Sequence, residues 1–147
     1  VLVDYAHTPD AVARALDAVR PACRGQLWVV LGCGGDRDPA KRPLMGRLAA
    51  AHADRFVATS DNPRTEEPAS IIAQMIAGVA SADRHKLTRE PDRRAAIAWA
   101  IAAAAPGDMV LIAGKGHEDY QIVGATKHHL DDREEAAAAL ARRRGPS

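Results

Sequence analysis

The 147-residue chain is poor in the residues that mark several classes of protein. It has only two cysteines, Cys23 and Cys33, which lack the spacing of metal ligands, and only 3% of its residues are aromatic. A disulfide framework is therefore excluded as the basis of the fold, and both thiols are expected to be reduced. With few aromatics and a net charge of +1, the chain offers neither a base-stacking platform nor a strong positive field. We therefore expect no nucleic-acid partner.

Long apolar runs are missing as well. The longest, Ala95–Ala105, is rich in alanine and too short to cross a bilayer, and no charged segment followed by an apolar one opens the chain. We therefore expect no membrane partner, and the two reduced thiols make a cytoplasmic location the default expectation. A predicted strand begins at Val1 without a start methionine or a leading loop, so we also expect the natural chain to continue upstream.

Apolar runs of strand length alternate with segments of helical periodicity. Strands are predicted at Val1–Tyr5, Gln26–Leu31, Arg55–Thr59, Leu87–Arg89 and Met109–Ala113, and helices at Pro9–Arg20, Lys41–Ala53, Pro68–Ser81 and Pro91–Ala105. A last helix from Asp131 to the arginines before Gly145 and an antiparallel edge hairpin over Tyr120–His129 complete the assignment. The alternation predicts an α/β fold: a Rossmann-like, mostly parallel sheet with helices on both faces, forming a single domain over residues 1–147.

Polar motifs follow four of the predicted strands. They are Asp4–Asp10, Gly32–Asp38, Ser60–Arg64 and Gly114–Glu118. In open parallel sheets, ligands bind at the carboxyl ends of the strands, where the amino termini of helices point outward. If the strands are parallel, the four motifs share one rim of the sheet. We therefore predict a ligand site at that rim.

The segment Asp61-Asn62-Pro63-Arg64 places an acid, an amide and a guanidinium in one turn. Pro63 disfavours helical geometry for the residue before it, so the turn is expected to be stiff. Arg64 can pair bidentately with a carboxylate and Asp61 can accept a hydrogen bond from an ammonium, which suits a zwitterionic amino acid. Taken alone, the same four residues are more typical of a plain surface turn before a helix.

Two glycine-containing segments allow a structural and a functional interpretation. The glycines of Gly32–Gly35 can form a tight turn with positive φ, or they can let backbone amides approach an anion, with Arg37 close by. Those of Gly114–Glu118 can relieve crowding, or Gly114 can present its backbone and Glu118 its carboxylate to a ligand. Neither segment is a nucleotide loop, because the chain contains neither G-x-G-x-x-G nor G-x-x-x-x-G-K-[ST].

Together and in this order, the four motifs resemble the Mur ligases, in particular those that add diaminopimelate as the third residue of the peptidoglycan stem peptide. The resemblance extends from Val1 to about Leu140 and identifies the chain as the carboxy-terminal domain of such a ligase. It implies ATP-dependent phosphorylation of UDP-N-acetylmuramoyl-L-Ala-D-Glu, followed by attack of the amine of diaminopimelate. ATP and Mg²⁺ would be bound mainly by a central domain that carries the P-loop. The fragment alone is therefore expected to have no catalytic activity.

The resemblance also implies roles for individual residues. Those matching the substrate-binding positions are Arg37, Asp61, Asn62, Pro63, Arg64, Gly114 and Glu118, and those matching the nucleotide-binding segment are Asp4 and His7. No catalytic residue and no metal ligand is assigned. Two guanidiniums and two carboxylates would then face a ligand that carries two carboxylates and two amines. Lysine lacks the second carboxylate and would leave Arg64 unpaired, so the pattern favours diaminopimelate.

Two alternatives stay open at this point. One is a related ligase with another acceptor, such as a lysine-adding form or folylpolyglutamate synthetase. The other is a non-catalytic α/β binding module, which the missing P-loop permits. For Asp4 and His7, a role as turn and capping groups at the end of a strand is the simpler alternative.

Overall fold

Within residues 1–144, which the computed structural model describes, five strands form one sheet. They are β1 (Leu2–Asp4), β2 (Leu27–Leu31), β3 (Arg55–Ala58), β4 (Leu87–Arg89) and β5 (Met109–Ala113), in the order β1-β5-β2-β3-β4. Every neighbouring pair is parallel. The predicted α/β class is confirmed, and each strand lies within one residue of its predicted ends. The last helix, predicted from Asp131 to the arginines before Gly145, spans Asp132–Arg144; Gly145 itself lies outside the described residues.

In the same range, five α-helices cover the two faces of the sheet. They are α1 (Pro9–Val19), α2 (Lys41–His52), α3 (Pro68–Ala77), α4 (Arg93–Ala103) and α5 (Asp132–Arg144), with short 3₁₀ helices at Arg20–Ala22 and Ser81–Lys86. Side chains alternate along a strand, so each strand feeds two cores. Val29 packs with α1, α2 and α3, whereas its neighbours Trp28 and Val30 pack with α4 and α5. Helices on both faces, as predicted, are confirmed.

The helix starts follow the sequence signals in part. Asp92 accepts backbone hydrogen bonds from the first turn of α4, and Asp131 accepts one from the backbone N–H of Arg133 at the start of α5. Asp131 and Glu134 have the spacing of a capping box, but the side chain of Glu134 bonds to His129. No helix in residues 1–144 is both long enough and apolar enough to pass through a bilayer.

The predicted hairpin forms, but as a sheet of its own. β6 (Tyr120–Val123) pairs antiparallel with β7 (Thr126–His129), and the turn contains Gly124 at φ +61°. The hairpin follows β5, whose two sheet neighbours are already β1 and β2, so it cannot extend the sheet at that point. It is connected instead by an isolated bridge between Val123 and Arg64. The hairpin therefore packs against the loop that follows β3.

Candidate functional site

The carboxyl ends of β1, β5, β2 and β3 are adjacent in the sheet, and the loops that follow them enclose a cleft of about 540 Å³. The four sequence motifs therefore meet at one rim. Seven of the nine predicted site residues line the cleft: His7, Arg37, Asp61, Asn62, Arg64, Gly114 and Glu118. Asp4 and Pro63 lie beside the cleft. The carbonyl of Asp4 accepts a hydrogen bond from the N–H of Gly114, and the carbonyl of Pro63 lies against Gly35.

The loops after β2 and β3 are hydrogen-bonded to each other. The N–H of Gly35 donates to the carbonyl of Asn62 at 2.7 Å, and Arg64 Nη1 donates to the carbonyl of Gly35 at 2.9 Å. A Cβ on Gly35 would lie 1.8 Å from the carbonyl oxygen of Pro63, so only glycine allows this approach. The alternative explanation, positive φ, is wrong for this run, since none of its glycines has it.

Arg42, a residue that sequence reasoning missed, braces these two loops from within the protein. Its side chain is only 2% exposed and donates at 2.8 Å to each carboxylate oxygen of Glu66 and at 3.0 Å to the carbonyl of Gly34. The hydrogen bonds from Arg42 and from the backbone N–H of Asp36 lower the pKa of Glu66 to about 2. Glu66 is thus an ionised anchor that holds both loops.

This anchor predicts an acid-sensitive part of the stability. Because the pKa of Glu66 lies below its ordinary value of 4.5, its contribution is complete above pH 4.5 and disappears as the pH falls to about 2. We expect Glu66→Gln to remove this dependence, so that parent and variant converge in stability toward pH 2. Denaturant unfolding at several pH values measures it. Glu67→Gln, at the exposed neighbour, should follow the parent; a Glu66→Gln curve that runs parallel to the parent's would contradict the assignment.

Asp61 and Glu118 bring two carboxylates into the cleft, with side chains 13% and 22% exposed. Gly114 lies against Asp61: a Cβ there would be 3.0 Å from Asp61 Oδ2, and the φ of +112° also favours glycine. The N–H of Gly114 already donates to the carbonyl of Asp4 at 3.1 Å, so its own carbonyl is the backbone group left for a ligand. The hydroxyl of Tyr120 donates to Glu118 Oε2 at 3.3 Å.

Lys115 lies between these carboxylates and is completely buried. Its Nζ is 3.5 Å from Asp61 Oδ1, 3.6 Å from Glu118 Oε1 and 3.2 Å from Asn62 Oδ1. Lys115 belongs to the Gly114–Glu118 motif, but no role was predicted for it from the sequence. The one available signal was the spacing of three residues between Lys115 and Glu118.

Arg64 and Arg37 add positive charge to the cleft, and within residues 1–144 neither forms an ion pair with an acidic side chain. Arg64 has φ +52°, which is uncommon for a residue other than glycine. The hairpin holds this conformation: the N–H of Arg64 donates to the carbonyl of Ile122 at 3.0 Å, and its carbonyl accepts from the N–H of Gly124 at 2.6 Å. Both guanidiniums are therefore available for carboxylates.

The hairpin also fixes the two residues before Pro63. Gln121 Nε2 donates to the carbonyl of Asp61 at 2.8 Å, and the N–H of Ile122 donates to Asn62 Oδ1 at 2.9 Å. The side-chain oxygen of Asn62, 5% exposed overall, thus accepts from Ile122 and from Lys115. These contacts of Asn62 stabilise the conformation of the loop that follows β3.

The end of β1 carries the residues predicted at the nucleotide. Asp4 Oδ1 accepts from the N–H of Ala6 at 2.7 Å, which is a turn-stabilising contact. His7 faces the cleft, and its ring meets that of Tyr5 edge-on at 4.7 Å. The Tyr5 ring also stacks with His117 at 6.2 Å.

Arg93 braces the rim from the opposite face of the sheet. It is 1% exposed and donates to both carboxylate oxygens of Asp132, at 2.8 and 2.6 Å. It also donates to the carbonyls of Ser60 and Ala113, at 2.9 and 3.1 Å, just where two site loops begin. Burial opposes the charge, but the bonds to Asp132 outweigh it and raise the pKa of Arg93.

A parallel sheet with a charged cleft at its carboxyl rim defines an α/β ligand-binding domain. A model of the family described as "Mur ligase, glutamate ligase domain" matches residues 1–116. The chain therefore belongs to the Mur ligase family, and it corresponds to the carboxy-terminal domain of these enzymes, as the motif resemblance predicted.

Curated relatives agree over nearly the whole chain. The UDP-N-acetylmuramoyl-L-alanyl-D-glutamate--2,6-diaminopimelate ligase of Synechococcus elongatus is 59% identical over 143 residues, which are 97% of this chain and 28% of the relative. The ligase of the same name from Lactiplantibacillus plantarum is 56% identical over 141 residues, 96% of this chain and 28% of the relative. The chain thus spans less than a third of the length of these relatives.

Solved structures show the same fold. A structure of a ligase with that name superimposes with a TM-score of 0.93 at 45% identity, covering 98% of this chain and 29% of the other. Escherichia coli FolC in complex with ADP gives a TM-score of 0.55 at 18% identity over 97% of this chain and 30% of FolC. The second similarity concerns the fold alone.

Proposed function

We propose that this chain is the domain that selects the amino acid in a cytoplasmic, ATP-dependent amide ligase. The ligase adds diaminopimelate to UDP-N-acetylmuramoyl-L-Ala-D-Glu in peptidoglycan synthesis. Relatives that are 56–62% identical and carry the name of this activity support the proposal. The observation that carries it is a cleft in which two guanidiniums without acidic partners among residues 1–144, those of Arg37 and Arg64, face the carboxylates of Asp61 and Glu118; Asp38 and Lys41 also line it.

The charges of four side chains in the cleft, those of Arg37, Arg64, Asp61 and Glu118, match those of diaminopimelate. A guanidinium fork binds a carboxylate bidentately, so Arg64 and Arg37 suit the two carboxylates of the ligand. Asp61 and Glu118 can accept hydrogen bonds from an ammonium. Lysine would leave one guanidinium unpaired, and an unpaired polar group in a closed site carries a desolvation cost. Holding both carboxylates and one ammonium of the ligand in this way orients the other amine for attack.

The proposed reaction also requires ATP and Mg²⁺. Among the described residues, no group of three His, Cys, Asp or Glu side chains is placed to hold a metal ion, and the printed sequence has no P-loop. The phosphates and Mg²⁺ would therefore be bound mainly by another part of the ligase. Asp4 and His7, at the end of β1, are the residues of this chain that would contact the nucleotide. Bound Mg²⁺-ATP would supply the phosphoryl group that activates the carboxylate of UDP-N-acetylmuramoyl-L-Ala-D-Glu.

Turnover by the full-length gene product tests the proposal. With ATP and UDP-N-acetylmuramoyl-L-Ala-D-Glu, we expect phosphate release that depends on diaminopimelate. Its kcat/KM should exceed that for lysine by at least about 100-fold, because lysine leaves a charged site group unpaired. The chain of residues 1–147 alone should release no phosphate. Equal use of lysine would refute the proposed acceptor, and turnover by the chain alone would refute its assignment as one domain of a larger ligase.

A further inference from the structure

Lys115 is a buried charged group behind Asp61 and Glu118 of the cleft, and the proposed binding scheme does not use it. Its side chain has no exposed surface, although lysine is seldom buried without a partner. Three oxygens surround Nζ: one of Asp61 at 3.5 Å, one of Glu118 at 3.6 Å and the amide oxygen of Asn62 at 3.2 Å. The Tyr120 ring lies on a further side, with its centroid 5.2 Å from Nζ.

The distances show that the ammonium is shared. A tight charge-assisted hydrogen bond is about 2.7–2.9 Å long, and both distances to carboxylates exceed that range. Lys115 is therefore not committed to either acid. Each carboxylate has two oxygens and about four acceptor positions, so Asp61 and Glu118 can both accept from a ligand while Lys115 stays in place.

Asp61, Glu118 and Lys115 form a cluster whose net charge suits a cationic group of a ligand. Two carboxylates and one ammonium leave one net negative charge, which one ammonium group of a ligand neutralises. Without Lys115, the cluster would carry two negative charges in a largely buried place. Like charges so placed repel each other, and a carboxylate then turns toward solvent.

We propose that Lys115 is a positioning residue for the acceptor amino acid. Its buried ammonium holds Asp61 and Glu118 toward the cleft and leaves a single negative charge there, matched to one ammonium of the substrate. The inference rests on the proposed function, because it takes diaminopimelate as the substrate. Lys115 acts through the two carboxylates and does not itself contact the reacting atoms.

Two substitutions in the full-length ligase test this role. Lys115→Met keeps the length and bulk of the side chain but removes the charge, so KM for diaminopimelate should rise about tenfold or more while kcat stays within about threefold. Lys115→Ala leaves a cavity that is still surrounded by the same three oxygens. Methylammonium should lower the raised KM of this variant, and tetramethylammonium at equal ionic strength, which is too large for the cavity, should not.

Lys127→Met is the matched control. Lys127 is exposed on β7 and its Nζ also lies over the Tyr120 ring, at 4.1 Å, but it forms no ion pair with Asp61 or Glu118. Its KM should equal that of the parent. A KM for Lys115→Met equal to the parent's would overturn the inference. It would also be overturned if methylammonium and tetramethylammonium changed the KM of Lys115→Ala equally. If the parent does not use diaminopimelate at all, the proposed function fails instead, so the two failures are distinguishable.

A compensated variant covers the case in which the single variants do not fold. Lys115→Met combined with Glu118→Gln again leaves one net negative charge in the cluster. We expect this double variant to fold, and its KM to lie well below the product of the two single-variant increases, because both substitutions act on the same pair of carboxylates. Failure of the double variant to fold, or a KM that is the product of two independent losses, would contradict the role assigned to Lys115.

Discussion

Replacement of Arg93 by methionine is expected to lower the free energy of unfolding by about 3–5 kcal/mol. The side chains of Arg93 and Asp132 are both fully buried, and two hydrogen bonds join them. Methionine would leave the carboxylate of Asp132 charged and unpaired in the protein interior. The carbonyls of Ser60 and Ala113 would lose their side-chain donor at the same time. The loss of stability is large because Asp132 is left without a partner in the interior, which costs more than the lost attraction to Arg93 alone.

The neighbouring arginine provides the control. Arg94 pairs with Glu135 at 2.8 Å, but its side chain is 52% exposed, so Arg94→Met should cost no more than about 1 kcal/mol. Urea unfolding of both variants measures the difference. Arg93→Met combined with Asp132→Leu should recover most of the loss, because apolar groups then replace both charges. Equal costs for Arg93→Met and Arg94→Met would show that the buried pair has no special importance for stability.

The periodicity of the sequence was sufficient to predict the sheet and its helices. Continuous apolar runs such as Leu27–Leu31 are typical of strands buried on both faces, and this strand is central and fully buried. Parallel order then places every loop that follows a strand on one rim, which is why the four motifs could be assigned to one site. The hairpin was also predictable, but its position was not, because that depends on which sheet edges are occupied.

The buried cations of the site could not be predicted. Arg42, Arg93 and Lys115 are among the most buried side chains in residues 1–144, although Lys and Arg usually lie at the surface. The acidic partner of Arg93 is 39 residues away in the sequence, and that of Arg42 is 24 residues away. Such pairs depend on the tertiary fold, and no local pattern reports them. They hold the loops of the cleft, so the sequence identified the residues that line the cleft better than those that position them.

The side chain and the backbone of Arg64 have separate roles, because the side chain faces the cleft while the hairpin holds the backbone. Asparagine tolerates the left-handed conformation at φ +52°, so Arg64→Asn should remove the guanidinium and leave the loop in place. A hydrogen-bonded charge of this kind contributes about 1.5–3 kcal/mol. We therefore expect kcat/KM of the full-length ligase for diaminopimelate to fall roughly 10- to 150-fold.

Two comparisons separate recognition by Arg64 from a general loss of activity. Lysine has no second carboxylate for Arg64 to bind, so kcat/KM for lysine should change little and the preference for diaminopimelate should collapse. Arg89→Asn, at an exposed arginine of the edge strand β4 that does not line the cleft, should leave both values near those of the parent. If Arg64→Asn kept its preference for diaminopimelate, the second carboxylate would have to be bound elsewhere. Arg37 would then be the remaining arginine of this chain in contact with the cleft that has no acidic partner among residues 1–144.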